Sequence, residues 1–578
     1  MPKTYSIDQA ISLVDWVSDR TAGRRKRQNS DYKLQRNEPY DTNTAGEPAR
    51  GTDYKSVTAT IAAAFMRAVV SRLAEAKLLI QVPYGAAMRP QQELYDLKER
   101  FAYGLLEQSD EELTETLVRG SVLDQQAWFS PARGWVAGLA LLRNKAGGGA
   151  SPMIRPWDAL NTYWQVGGNG LEWACLKTRM ALGEIRSKYP EVKIDGDDGD
   201  ERDTLDFWTP DSNGVFTSDR EWLKPWTLHG SPRCPVVIVP VPTQPEVWSD
   251  DVTNSGDDYG ESIFATNRAL YEQISEVLSI TLELLSKARD PSAIAFTDEE
   301  DTEFEENPQR GGGVSYMGQG DKFQPLPPPE TTKDAVQFAG LVMDMIQRGD
   351  LPFTSYGQIS FALSGYAITQ LNQQILTVLG PQTRAIARWY QGVLNLLVDQ
   401  YATNQFDPMT IRGYGNNRDY MQQMIPPLAL RNLPSIRVKL VAELPQDDTA
   451  KLQAVGVARE FLPDEWLLEN YLKLPDVHQV MRAMKLQQAE RGHPLAVTLE
   501  LARAAFESGR PDLGQVYLDQ ARMMSVQLQL QGLQAGGEQS QPGLPPTALP
   551  FIQAMGGVMP TPNAPTGEEG RFGLRRNR

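Results

Sequence analysis

Cysteine is almost absent from this chain of 578 residues: Cys175 and Cys234 are the only two. That scarcity excludes a disulfide framework and a thiolate-built zinc site, and it points to synthesis in a reducing cytoplasm. Histidine is nearly as rare. His229, His478 and His493 stand beside neither a serine elbow nor a paired cysteine, so nucleophilic hydrolysis has no evident constellation. No G-x-x-x-x-G-K-[ST] phosphate loop occurs, which excludes an ATPase of the Walker type. The longest apolar runs, near 136–142 and 236–239, fall far short of the ~20 residues that span a bilayer. The opening MPKTYSIDQAISLV has no basic stretch leading into a long apolar core and does not read as a signal peptide. Positive charge is in deficit too. A formal net charge of −16 argues against a general nucleic-acid binder, though it does not exclude a protein that lets DNA pass without gripping it.

What is present is ordinary for a folded protein, with 41% hydrophobic and 22% charged residues, and the length predicts two to four domains. Residues 1–55 read as an arm: one short amphipathic helix, then Arg24, Arg25, Lys26 and Arg27 on a solvated polar loop. Residues 56–145 read as helical, with Ile61, Phe65, Val69, Leu73 and Leu78 forming a buried stripe. Pro131 is expected to start a further helix that packs through Trp135 and Leu139. From Ser151 the pattern changes to short β-type runs at 153–157, 162–166, 171–176, 204–208 and 236–241. Turns at 167–170 and 211–214 separate some of them, as in a small antiparallel sheet. His229 reads as a turn residue ahead of a strand.

Three helices follow, at 261–288, 332–348 and 362–402. The first two are separated by a segment of acids, glycines and prolines, 291–329, and the last two by a Gly/Ser/Thr-rich loop, 349–361. Leu270, Ile274, Val277, Leu278, Thr281 and Leu285 recur at helical steps, as do Ala335, Phe338, Ala339, Val342, Met345 and Ile346. Such spacing predicts two helices side by side with a projecting head; an internal hairpin of one globular core shows the same periodicity. Gly380-Pro381 predicts a kink in the third helix. Residues 436–442 alternate as a half-exposed strand. Residues 447–533 are helical, with Pro463, Pro475, Pro494 and Pro511 placed as first-turn prolines. The Gly/Pro/Gln-rich stretch 534–578 reads as a flexible tail.

An ordered set of short motifs resembles the portal (head-to-tail connector) proteins of tailed bacteriophages. They are Trp157-Asp158, Gly-Asn-Gly-Leu at 168–171, Asp206-Phe207-Trp208, and His229-Gly230 with Cys-Pro-Val-Val at 234–237. Tyr-Gly-Glu-Ser at 259–262 and Leu363-Ser364-Gly365 open the first and third helices. The resemblance spans roughly 55–530. It implies an α+β, mainly helical fold assembled as a dodecameric ring. In that fold 56–260 with 403–446 would be the wing, and 366–402 the kinked helix returning to it. The stem would be 261–290 and 330–348, the clip 291–329, the tunnel loop 349–365 and the crown 447–533.

The resemblance further implies a channel for double-stranded DNA at one capsid vertex of the virion, assembled in the bacterial cytoplasm. Partners would be major capsid protein, scaffolding protein, the terminase large subunit and then a tail adaptor, with no membrane, no cofactor and no catalysis. Pro352, Phe353, Tyr356 and Gln358 would face the channel. Lys287, Arg289, Arg384 and Arg388 are candidate DNA contacts, and Asp298, Glu299, Glu300 and Asp301 a partner contact in the clip.

Two other readings compete. Acidic clusters at 298–306 and at Asp195, Asp197, Asp198 and Asp200 would suit a metal-dependent nuclease. Yet these carboxylates are consecutive on loops, and the 195–200 run lacks the glycine placement and closing glutamate of an EF-hand. Residues 495–530 resemble one helix–turn–helix repeat of an adaptor, but one unit builds no solenoid, which takes about three.

Overall fold

The computed structural model describes residues 4–40, 56–83, 92–144, 149–243, 259–289, 293–296, 322–325, 333–351, 365–403, 405–414, 420–441 and 511–535, with scattered positions between 455 and 502. The chain divides into two compact units, Met1–Pro475 and Asp476–Arg578.

In the first unit α1 (Ile7–Arg20) opens with a capping box, Ser6 accepting from the Gln9 amide and Gln9 reciprocating. A second helix, α2 (Ala22–Arg36), follows directly. Next come α3 (Ile61–Ala74), β1 (Lys77–Gln81), α4 (Gln92–Glu111) with a π-helical turn at Glu112–Thr116, and α5 (Val122–Arg133). Strands β2 (Trp135–Asn144), β3 (Ala150–Trp157), β4 (Thr162–Gly167) and β5 (Gly170–Ala181) lead to the short α6 (Leu182–Lys188). Then β6 (Glu201–Trp208), β7 (Ser212–Thr217), β8 (Trp222–Leu228) and β9 (Val236–Pro240) complete the β region. The hairpin consists of α7 (Arg268–Arg289), β10 (Ala293–Phe296), β11 (Lys322–Pro325) and α8 (Lys333–Gly349). The long α9 (Gly365–Ala402), then β12 (Met409–Tyr414), β13 (Tyr420–Ile425) and β14 (Arg437–Val441), close the unit. In the second unit α10 (Pro511–Ala535) begins at a proline, as expected of a first turn.

Antiparallel pairing gives a five-stranded sheet in the order β4-β5-β6-β7-β8 and a three-stranded one, β3-β2-β9. Two-stranded pairs β1-β14, β10-β11 and β12-β13 complete the set. The five expected strands are present, with 171–176 extended to twelve residues as β5. β7 and β8 were not expected: the 211–214 turn signal overlaps the start of β7, and Trp222–Leu228 alternates only weakly. Ile436, Val438 and Leu440 are buried while Arg437 and Lys439 are exposed, so β14 alternates as read.

Three expectations fail. Pro131 sits inside the last turn of α5, and Trp135 starts a strand. The run 136–142 is apolar without period because β2 is the central strand of its sheet and is buried on both faces, a pattern that a buried helix also gives. The block 56–145 is therefore not all helix. The basic quartet is not a solvated loop either: it lies in α2, and Arg24 is 2% exposed with its guanidinium 4.6 Å above the Trp164 ring.

The main core joins α3, α4, α9 and the feet of α7 and α8 through Phe65, Phe101, Ile386, Trp389, Ile274 and Val342. Trp389 Nε1 donates to the Val237 carbonyl at 3.1 Å. Gln400 both donates to Ala140 O and accepts from Leu142 N, so buried main-chain groups of β2 are satisfied from α9. Pro381 lies inside α9, which runs unbroken from 365 to 402. Thr383 and Arg384 side chains both donate to the Gly380 carbonyl. α1 buries Ala10, Val14 and Val17 on the five-stranded sheet against Trp173 and Phe207.

Candidate functional site

The feature that the sequence singles out is the hairpin of α7 and α8. The helices pack against each other, and residues at the start of α7 touch the end of α8, so they run antiparallel. Beyond the helix ends, β10 and β11 pair from Ala293↔Pro325 to Phe296↔Lys322. The head thus begins as a two-stranded ribbon, where composition had suggested only acids, glycines and prolines. Alternation over four residues is too short to stand out as a strand.

The foot of the hairpin is fastened on three sides. Asn267 Nδ2 donates to the Ile346 carbonyl at 2.7 Å and to Asp350 Oδ1 at 2.9 Å, and Tyr271 OH donates to the same oxygen at 2.5 Å. Arg268 binds Asp31 of α2 through both carboxylate oxygens, at 2.6 and 3.0 Å, and reaches Glu261 at 3.2 Å. Arg27 also pairs with Glu261, at 3.0 Å, and Ser262 Oγ donates to Asp31 at 2.6 Å. On a third side, Ser275 and Ser279 accept from the main-chain amides of Ala59 and Val57. Both serines are buried.

Electrostatics follow from burial. Burial opposes the charge of Arg268, but its hydrogen bonds and attraction to Asp31 and Glu261 outweigh that and raise its pKa. Burial pushes Asp350 up to about 6, against the pull of the Tyr271 and Asn267 hydrogen bonds. Gly134, at φ +70°, closes α5 where any side chain would run into the backbone of Glu261, so the chain entering the hairpin lies directly on the helix end.

Toward the head the character reverses. Near the foot Ile274, Val342 and Ile346 are buried. Ile280, Leu282 and Leu285, in the half of α7 nearer the head, are exposed, and so are Phe338, Leu341 and Met345 on another face of α8, Leu285 and Leu341 at 54% each. Phe338, Leu341 and Met345 fall at steps of three and four, so they form one continuous stripe, distinct from the buried face. The expected apolar stripes therefore divide by face: Val342 and Ile346 are covered by the chain's own core, while Phe338, Leu341 and Met345 are open.

Of the individual positions, Arg384 and Arg388 are exposed on α9. Lys287 and Arg289 belong to the last turn of α7, in the half nearer the head; their side chains lie outside the described residues. Pro352, Phe353, Tyr356 and Gln358 lie outside them too, as do Asp298, Glu299, Glu300 and Asp301. The 195–200 acidic loop is tied down: Asp198 pairs with Arg186, and Asp200 accepts from the Asp197 amide at 3.0 Å. Among the described residues no group of three or more His, Cys, Asp or Glu is placed to hold a metal ion. His229 is engaged at both ring nitrogens, accepting from Ser231 N at Nδ1 and meeting Thr209 O at Nε2, as befits a turn.

A groove of about 700 Å³ lies between the edge strands β4 and β9, lined by Trp135, Trp164, Tyr259, Arg233 and Leu396 among others. No helix among the described residues is long and apolar enough to cross a membrane.

No family model and no curated protein matches the sequence. Among solved structures the chain is similar to one from the neck of an empty GTA particle computed with C6 symmetry. The identity is 12% and the TM-score 0.39, over 72% of this chain and 90% of that one, and a likeness at that level carries no argument about function.

Proposed function

We propose that the chain is one subunit of a portal-type ring, a head-to-tail connector with a central channel for double-stranded DNA. One observation carries the reading: a hairpin anchored at its foot in the chain's own core shows open apolar residues on both helices, away from the residues that join that core. A lone soluble chain has no reason to hold six large apolar residues on a projecting element, since burying each is worth ~1.5–3 kcal/mol. Identical copies set side by side with matching tilt would cover each stripe with the next hairpin. Contacts of that head-to-tail kind close into a ring when the rotation per copy divides the circle.

On this reading 261–290 and 330–348 are the stem, 291–329 the clip, 349–365 the tunnel loop and 447–533 the crown. The three-stranded and five-stranded sheets belong to the wing, and α9 is the helix that returns the chain to it. The ring sits at one capsid vertex, nucleated with scaffolding and major capsid protein. Its clip receives the terminase large subunit during packaging and a tail adaptor afterwards. Its work is mechanical, with no hydrolysis of its own. The net charge of −16 favours a channel wall that repels phosphate.

Negative-stain images of the purified full-length protein test the reading. Rings with a central hole are expected, and a monodisperse monomer over a range of salt and concentration would overturn it.

A further inference from the structure

The foot of the hairpin holds a buried carboxylate with no cation paired to it among the described residues. Asp350 is 7% exposed, and its side-chain partners among the described residues are Tyr271 OH and Asn267 Nδ2, both from the start of α7. The contact is close: a Cβ at Gly349 would fall 2.5 Å from Asn267 Nδ2, so only glycine lets the end of α8 come this near. Charged groups on the adjoining elements are spoken for or face water. Arg268 is committed to Asp31 and Glu261, while Glu272, Asp344 and Arg348 are exposed. The other neighbours of the foot, Phe264, Ile274, Val342, Ile346 and Leu351, are apolar. Farther along, Leu278, Ala339, Val342 and Met343 join the apolar core, so the knot is the polar fastening of the foot.

We propose that Asn267, Tyr271 and Asp350 form a releasable pin, which clamps the foot of α8 to α7 and opens as Asp350 ionises, freeing the last turns of α8 to move. The proposal concerns the hairpin of a single chain and holds whether or not copies assemble.

The direction of the pH effect follows from the buried carboxyl. Its pKa in the closed knot, about 6, lies above the ordinary value of 3.8 that it regains on opening. The knot's contribution is therefore fully present below the ordinary value and is lost as pH rises through about 6. The proton helps hold the pin shut, and at neutral pH the closed form carries an ionised carboxylate that only two neutral donors stabilise.

Hydrogen exchange of the full-length protein, followed at the amides of 342–351 from pH 5 to 8 and corrected for intrinsic rates, tests the pin. Wild type should lose protection by roughly tenfold between pH 5 and 8, the upper part of the ~100-fold that a shift of about two pKa units allows. Asp350→Asn, which cannot ionise, should show flat protection. Tyr271→Phe should lower protection at every pH and retain the slope, and it carries the test alone should Asp350→Asn fail to fold. Flat protection in wild type, the same slope in Asp350→Asn, or wild-type protection in Tyr271→Phe would each overturn the pin. Ring images of the same samples report separately on the portal reading.

Discussion

Asn267 donates its side-chain amide to the Ile346 carbonyl at 2.7 Å, across 79 residues of chain. That bond joins the first residue before one hairpin helix to the last turn of the other. It holds the start of α7 against the end of α8.

Gly349 should therefore be intolerant of a side chain. Gly349→Ala places a Cβ at 2.5 Å from Asn267 Nδ2, and overpacking of this kind costs ~1–3 kcal/mol. Denaturant unfolding should show a lower midpoint, and the loss should shrink in an Asn267→Ala background, where the obstructing group is gone. Additive losses would place the strain elsewhere.

The pair Asp31–Arg268 is the second anchor, with Asp31 1% exposed. Arg268→Ala leaves the buried Asp31 carboxylate without its cation and should cost ~3–5 kcal/mol, while Asp31→Ala leaves Arg268 paired with Glu261 and should cost less. Removing both should cost distinctly less than the sum, because the orphan charge disappears. Thermal unfolding of the two single variants and the double variant measures this. It also tests whether α2, whose basic run had read as a surface loop, is a structural strap for the hairpin.

Asp110 supplies a pH prediction away from the hairpin. Its carboxylate accepts from the Val122 amide at 2.7 Å, and burial pushes its pKa up to about 6. Because the folded value is raised, its stabilising contribution is complete below about pH 4 and is lost as pH rises through 6. Asp110→Asn should be more stable than wild type at pH 8 by about 1–2 kcal/mol and no more stable at pH 4. Unfolding midpoints at the two pH values check the crossover.

Much of this organisation was legible in the sequence, for definite reasons. Helices with one apolar face announce themselves by period, so α7, α8 and α9 were placed to within a few residues, apart from the first turn of 261–267. β14 declared itself by alternation. What failed did so where period carries no information. β2 is buried on both faces, and β10 and β11 are four residues each. In α2 the positive charges look solvated until Trp135 and Trp164 arrive from other parts of the chain to receive Arg24. The foot of the hairpin was missed for a related reason. Asn267, Ser275, Ser279 and Asp350 are polar residues in the interior, and only their partners, dozens to hundreds of residues away, reveal it.

Val118 offers a local test of strain. It is a β-branched residue at φ +52°, 87% exposed, just after the π-helical turn. The left-handed conformation costs such a residue ~1–2 kcal/mol, part of which glycine returns through unfolded-state entropy. Val118→Gly should stabilise the fold by about 0.5–1 kcal/mol, read as a higher denaturant midpoint at unchanged slope.

The open stripe should matter to assembly and not to the fold of one chain. Leu285→Asp and Leu341→Asp each put a charge where the single chain shows a half-exposed leucine. Circular dichroism should be unchanged, while light scattering should show a loss of high-mass species.

The central claim, that the hairpins stand side by side around a channel, is tested most directly by a cryo-electron microscopy reconstruction of the full-length protein. The expected map shows a closed ring in which Phe338, Leu341 and Met345 of each copy lie against the hairpin of the next, with both helices flanking the central hole. A ring whose hairpins point outward with that stripe uncovered, or particles with no ring at all, would contradict it.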